Sequence, residues 1–375
     1  MNWRKGISIL ALLGSLVYAQ EVKSPGAVFL MIWPGSRPTS LGGAFTAIAN
    51  DALATYYNPA GLGFMDSTDI SLMHCNWLPG LWKDMYYEFL GIARPIEKRG
   101  TIGFSVIYLT TGKTPVTNSQ GVNLGEYTTF DIALGPSYGF KVFKNMSIGL
   151  TAKFIYSFLI PQWVIKKMPE LGIEKGGTGK TWAADLGVLY KPSPQLSLGM
   201  ALQNIGPGIS YVEGGETDPL PRMLRLGLKY RPFHSRTFSL LLIPEITKVL
   251  VGMFYHKPDT FTTWEKWRYE LEEAWKSIGV EFGYLNLLMI RLGYFEDVTG
   301  YRGGIVIKRE DHTKEHVGII NYILDKEKRR GEFSGIGLTF GAGIGWRGLH
   351  FDVGIDQFIY DFDTKNYKLS LSYSF

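Results

Sequence analysis

The chain has 375 residues, 45% hydrophobic and 14% aromatic, with 45 glycines, a formal net charge of +5 and a mean hydropathy of zero. That hydropathy argues against a helical membrane bundle. The small charge argues against a nucleic-acid-binding protein, the more so once Arg4 and Lys5 leave with a leader. Cys75 is the single cysteine, so an internal disulfide is excluded.

Residues 1–19 read as a signal peptide. Arg4 and Lys5 precede an apolar core from Ile7 to Val17 that is too short to span a bilayer, and Val17-Tyr18-Ala19 suits cleavage after Ala19. Residues 20–66 follow as a periplasmic segment. Within it, Gly42 to Phe64 is rich in alanine and glycine and does not alternate like a strand. Asn50 and Asp51 are placed to cap a short helix through Ala52-Leu53-Ala54. Asn58 with Pro59 repeats the logic, Asn as cap and Pro at the first helical position.

From residue 67 to 375 the dominant signal is period-2 alternation. Between Met146 and Phe158, Ile148, Leu150, Ala152, Phe154 and Tyr156 share one face, and Ser147, Gly149, Thr151, Lys153 and Ser157 the other. Strands are expected to start near 68, 85, 101, 127, 146, 181, 196, 221, 237, 277, 287, 333, 349 and 366. Short turns (97–99, 193–194, 233–234, 286, 347–348) alternate with longer segments near 111–123, 161–179, 206–219, 251–275 and 297–331. A soluble sandwich has no reason to alternate its loop lengths in this way, whereas a transmembrane barrel does. The expected fold is all-β, an antiparallel transmembrane barrel of about fourteen strands in the bacterial outer membrane, surrounded by its lipids.

The polar phase of these strands holds Asp131, Lys153, Asp185, Arg225, Lys229, Glu281, Arg291, Asp352 and Asp356, charges of both signs that suit a packed lumen. Gly335, Gly337, Gly341, Gly343 and Gly345 read as one glycine-lined inward face. The room they leave predicts that residues 20–66 fold back into the lumen as a hatch. Pro244, in the middle of the ninth strand, lacks a ladder donor and marks a kink or bulge. The final strand alternates Tyr367, Leu369, Leu371, Tyr373 and Phe375, and its aromatic end resembles a barrel assembly signal carried by Tyr373 and Phe375.

The run Gly42-Gly43-Ala44-Phe45 … Asn50-Asp51 … Tyr57-Asn58-Pro59-Ala60-Gly61-Leu62 resembles the N-terminal hatch of the PorV/PorQ family, within the FadL-like superfamily. Ser277 to Tyr284 followed by Ile290 to Phe295, and Leu220-Pro221 … Leu224-Arg225-Leu226-Gly227, are similar to stretches of the same family. The resemblance implies a fourteen-stranded barrel with a hatch built on Gly42, Gly43, Ala44, Asn50, Asp51, Asn58, Pro59 and Gly61. It also implies a role in type IX secretion, with the translocon, the C-terminal domains of cargo proteins and attachment-complex proteins as partners. FadL-like relatives instead imply uptake of hydrophobic small molecules. The long charged segment 297–331 departs from the family pattern and bears on the partner rather than the fold.

Enzymatic motifs are weak. His312-Thr313-Lys314-Glu315-His316 matches a zinc-protease pattern, but it lies in a hydrophilic loop rather than on a helix. Gly176 to Thr181 suggests a phosphate loop, but Glu174 occupies its first glycine position. No cofactor, metal or catalytic residue is expected. The partner-docking candidate is Thr263 to Trp275. There Trp264, Trp267, Leu271 and Trp275 are spaced as one helical face, Thr263 serves as cap, and Lys266 leaves the capping box incomplete.

Overall fold

A computed structural model describes residues 24–375 except 82, 170, 171, 173, 255–259 and 357–364. The expected signal peptide lies outside the described residues. Eleven strands follow in antiparallel succession, each paired to the next: β1 (Asp69–Asn76), β2 (Tyr86–Ile96), β3 (Gly100–Thr117), β4 (Asn123–Phe143), β5 (Met146–Phe158), β6 (Thr178–Tyr190), β7 (Leu196–Ile205), β8 (Met223–His234), β9 (Phe238–Val249), β10 (Trp275–Tyr284) and β11 (Leu288–Asp297). The chain then leaves the wall. β12 (Arg302–Gly303) adds to the end of β11, while β13 (Ile305–Lys308), β14 (Lys314–Val317) and β15 (Glu332–Ile336) form a separate sheet in the order β14-β13-β15. β16 (Leu338–Trp346), β17 (Leu349–Asp356) and β18 (Asn366–Ser374) complete the wall, β16 pairing with β11 and β18 with β1. The ring closes at fourteen strands.

Burial is inverted relative to a soluble protein. On β5 the apolar Leu150 and Phe154 are 46% and 48% exposed, while Thr151, Lys153 and Ser157 are buried. The same holds around the ring, with Leu186, Leu226, Ile278, Ile290 and Leu371 exposed and Asp185, Arg225, Glu281, Arg291 and Asp352 inside. Alternation with an apolar exterior and a polar interior is the arrangement that lipid demands of a closed sheet, because closure leaves no unpaired strand edge in hydrocarbon.

Three details differ from the sequence expectation. The strand expected from residue 333 is broken at Gly337, whose N–H donates to Gly304 O (2.7 Å) while its carbonyl accepts from Phe295 N (2.9 Å). Gly335 consequently lies opposite Val306 in the small sheet, and Gly341, Gly343 and Gly345 belong to the wall. The expected loop 111–123 is largely strand: a register shift between Thr110 and Lys113, with Gly112 at φ 75°, carries β3 and β4 on as a paired ribbon. Segment 297–331 is a folded excursion with its own core of Ile305, Ile307 and Val317.

Candidate functional site

The N-terminal segment packs against the inner wall. Its first described residues sit among the long loops, where Gly26 N donates to Pro219 O (2.9 Å) and Ala27 N to the Tyr211 hydroxyl (3.2 Å). From there it runs past β16–β18, β11, β8 and β5 to the short-turn rim, where Gly63 meets Phe140 and Ser147. Most of its side chains are buried, Phe29, Phe45, Tyr56 and Tyr57 almost completely, while Val28 is 53% exposed.

Close approach is made possible by glycines that face one another across the ladder: Gly139 opposite Gly149, Gly149 opposite Gly187, Gly199 opposite Gly227, Gly279 opposite Gly293, and Gly341 opposite Gly354. A Cβ on Gly149 would fall 2.2 Å from Pro59 C, and one on Gly199 2.4 Å from Thr46 O. The wall is smooth here, so backbone lies on backbone. Within the segment, Gly42 and Gly43 adopt φ of 67° and 82°, which favour glycine, and a Cβ on Gly61 would lie 2.1 Å from Ala49 O. Asn58 caps the turn Pro59–Phe64 by accepting from Ala60 N (3.1 Å), as its spacing from Pro59 suggested. Asn58 Nδ2 donates to Thr46 O (2.9 Å) and to Val188 O (3.1 Å). Asp51 accepts from Leu53 N (3.0 Å), but the helix begins later than expected, at Ala54–Tyr57. Asn50 serves as no cap, because its side chain accepts from Arg37 (3.1 Å).

Several of the inward charges hold this packing. Glu245 Oε2 accepts from Phe45 N (2.9 Å) and Thr46 N (2.8 Å), Arg225 Nε donates to Glu245 Oε1 (2.8 Å), and Arg225 Nη2 donates to Gly43 O (2.7 Å). Arg37 joins a chain of alternating sign: Arg37–Glu281 (2.8 Å), Glu281–Arg291 (2.6 Å) and Arg291–Asp352 (2.5 Å). Lys368, fully buried, donates to Trp33 O (2.7 Å) and Thr39 Oγ1 (3.0 Å). Lys153 pairs with Asp185 at 2.7 Å. Of these groups Glu245, Lys368 and Arg37 escaped the sequence reading. Glu245 and Lys368 lie on the polar phase of their strands, so alternation alone flags them.

Two apolar features mark the long-loop mouth. A cavity of about 240 Å³ is lined by Phe29, Ile32, Trp33, Trp77, Leu109 and Phe295, with Asp131, Arg302 and Asp356 at its border. Beside it stands the helix Thr263–Glu273. Its N-cap is Thr262 rather than Thr263, and its capping box is complete through Glu265, whose carboxyl is held below the usual range by hydrogen bonds from Thr262. Trp264, Trp267 and Leu271 are 74%, 48% and 55% exposed, and Trp267 meets Phe254 edge-on at 4.9 Å. Trp275 is not part of that face. The helix ends at Ala274, with extended ψ of 141°, and Trp275 opens β10, buried against Phe295 with the Arg302 guanidinium 4.5 Å over its ring.

The remaining motifs are structural. His312 occupies a turn (φ 67°), His316 lies on β14 with Nδ1 2.8 Å from Gly303 O, and Glu315 is held by Arg309 and Lys328. Thr178 to Thr181 of the phosphate-loop lookalike start β6. Pro244 faces outward on β9, opposite Ile278. Tyr373 and Phe375 stack at 5.2 Å on the outside of β18.

The family model described as "Type IX secretion system protein PorV" matches residues 18–255. The UPF0164 protein of Treponema pallidum (strain Nichols) is 26% identical over 261 residues, a match covering 63% of this chain and 56% of that protein, so the chain spans little more than half of that relative. Among solved structures, the toluene transporter TodX of P. putida is 11% identical with a TM-score of 0.51, covering 91% of this chain and 98% of that one. A TodX deltaS2S3 mutant monoaromatic hydrocarbon channel is 13% identical, with TM-score 0.51 and the same coverage. At these identities the structural likeness is one of fold.

Proposed function

The chain belongs to the PorV family of type IX secretion system proteins, and from that premise we propose that it is an outer-membrane barrel that binds exported proteins, or other secretion components, at its long-loop face while residues 20–66 act as a hatch that keeps the lumen shut. The observation that carries this reading is the contrast between the two parts of the molecule. The lumen side of the N-terminal segment is buried and hydrogen-bonded to the wall, whereas Trp264, Trp267 and Leu271 stand exposed on a capped helix at the mouth. Exposed tryptophans on a rigid element are the usual anchors of protein interfaces.

Replacing Trp264 and Trp267 together by alanine should reduce co-purification of secreted cargo from the cell surface by about tenfold or more, the loss of one hot-spot anchor. Heat-modifiable migration of the barrel should stay unchanged. Unchanged capture alongside a weakened barrel would instead make the helix a structural lid.

A second reading is favoured by the cavity of about 240 Å³ at Phe29, Trp33, Trp77 and Phe295, whose largely apolar lining, with Asp131, Arg302 and Asp356 among it, suits only a small hydrophobic molecule. Under it the hatch moves and the barrel is a channel. Locking the hatch to the wall with a disulfide separates the two.

A further inference from the structure

The rim of short turns carries a charge pattern that neither reading uses. Lys141 near the end of β4, Lys191 just after β6 and Lys229 on β8 take the inward phase, with Arg231 one inward step beyond. Small side chains separate them in the sheet: Ser147 is the register partner of Lys141, and Ser197 that of Lys229. Strand by strand the inward rim carries Lys141 on β4, Ser147 on β5, Lys191 just after β6, Ser197 on β7 and Lys229 on β8, an arc roughly 19 Å long at about 4.8 Å per strand. Phe64, at the end of the N-terminal segment, sits within the arc. Lys191 Nζ lies 3.9 Å over its ring and Lys141 Nζ 5.3 Å over it.

The arc is poorly neutralised. Among the described residues no ion pair involves Lys141, Lys191, Lys229 or Arg231, and Lys229 Nζ donates only to the Pro194 carbonyl (3.2 Å). Ser197 Oγ is buried with no protein partner, and so is Arg231 Nε. Burial, with the positive charges of Lys229 and Lys141 added, pushes the Lys191 ammonium down to about 8 against the opposing pull of Asp66. A groove of about 540 Å³ adjoins the arc, its lining charged by Lys98, Arg99 and Lys141 against Asp66 and Glu97, a net excess of one positive charge.

We infer that this basic arc docks an acidic stretch of polypeptide presented from the short-turn side of the barrel. Charge complementarity sets the sign, and geometry sets the class. The lysines lie inside the wall, whereas their outward neighbours Phe140, Tyr190 and Tyr230 occupy the exposed apolar face, so lipid headgroups approach the other side. The backbones of Lys191 and Lys229, on alternate strands, stand about 10 Å apart, so the three cations are strung along the arc rather than gathered at one point. An extended chain at about 3.3 Å per residue spans the arc with about six residues. The site faces away from the long loops and is independent of what they bind.

The probe is fluorescein-labelled octa-glutamate titrated with the full barrel in neutral detergent and followed by anisotropy. Saturable binding at low salt that weakens as salt rises is expected. Lys141→Gln/Lys191→Gln/Lys229→Gln should lower the affinity about tenfold, three partly exposed charge contacts. The same number of changes on the long-loop side, Lys314→Gln/Lys326→Gln/Arg329→Gln, should leave it unchanged. If the first triple variant loses heat-modifiable migration, Lys141→Gln/Lys229→Gln keeps Lys191 on Phe64 and should still weaken binding severalfold. Three results would each overturn the inference: no binding at low salt, equal binding by wild type and the folded variant, or displacement by inorganic phosphate at matched ionic strength as readily as by unlabelled octa-glutamate.

Discussion

Replacing Glu245 by alanine should cost roughly 3–5 kcal/mol of folding stability, the penalty for stranding one member of a buried ion pair. The carboxylate is 3% exposed and serves three donors at once: Arg225 Nε and the backbone N–H groups of Phe45 and Thr46. Its loss leaves the Arg225 guanidinium, 5.0 Å over the Tyr57 ring, without a counter-charge and two buried amides without an acceptor. Glu245→Gln keeps an acceptor and should cost less than the alanine variant. Arg225→Met/Glu245→Leu should cost less than the sum of its single changes, because the stranded charge is gone. Urea titration in lipid vesicles measures all five variants. An alanine penalty under about 1 kcal/mol, the range of an exposed pair, would contradict the buried geometry.

Gly149→Val tests the backbone-on-backbone contact. Valine suits a strand better than glycine, so β5 itself should pair at least as well. Its Cβ, however, would fall 2.2–2.5 Å from Pro59 C, Pro59 O and Ala60 N, and backbone atoms on a capped turn do not yield as a side-chain end does. Overpacking of this kind costs roughly 1–3 kcal/mol or more, enough to lift the turn Pro59–Phe64 from the wall while the strands remain. In a Cys75→Ser background, Ala60→Cys should react slowly with a maleimide in the parent and many times faster once Gly149→Val is added. Equal rates would mean that the segment does not rest on Gly149.

The wall was legible in the sequence because its signal is local. A period of two needs only neighbouring residues, and the apolar phases around Leu150, Leu186 and Leu226 stand outward as the alternation implied. The glycine contacts were not legible, because Gly149 matters through its register with Gly139 and Gly187, and register is a property of strand pairs. Glu245 was passed over because Leu240 to Ile243 blurs the alternation of β9, and Lys368 because the aromatic phase of β18 drew the reading to the other face. At the helix Thr263–Glu273, tryptophan spacing ran past the true helix end. The periodicity that joined Trp275 to Trp264, Trp267 and Leu271 takes no account of the extended turn at Ala274. Adjacent threonines hid the cap, since the Glu three residues after Thr262, and not after Thr263, completes the box. Segment 297–331 was read as loop because Ile305 to Ile307 is too short a run to announce a strand without its partners on β14 and β15.

The central claim is a barrel that works at its loops with the lumen closed, and locking the hatch tests it most directly. An ideal Cβ on Gly227 lies 3.4 Å from the Cβ of Ala47, close to the separation of a disulfide. Ala47→Cys/Gly227→Cys in the Cys75→Ser background should oxidise to a bond between the N-terminal segment and β8. The account predicts that cells carrying the locked barrel still capture cargo at the surface as the reduced barrel does. Loss of capture on oxidation, restored by reductant, would contradict it and assign the function to a hatch that moves.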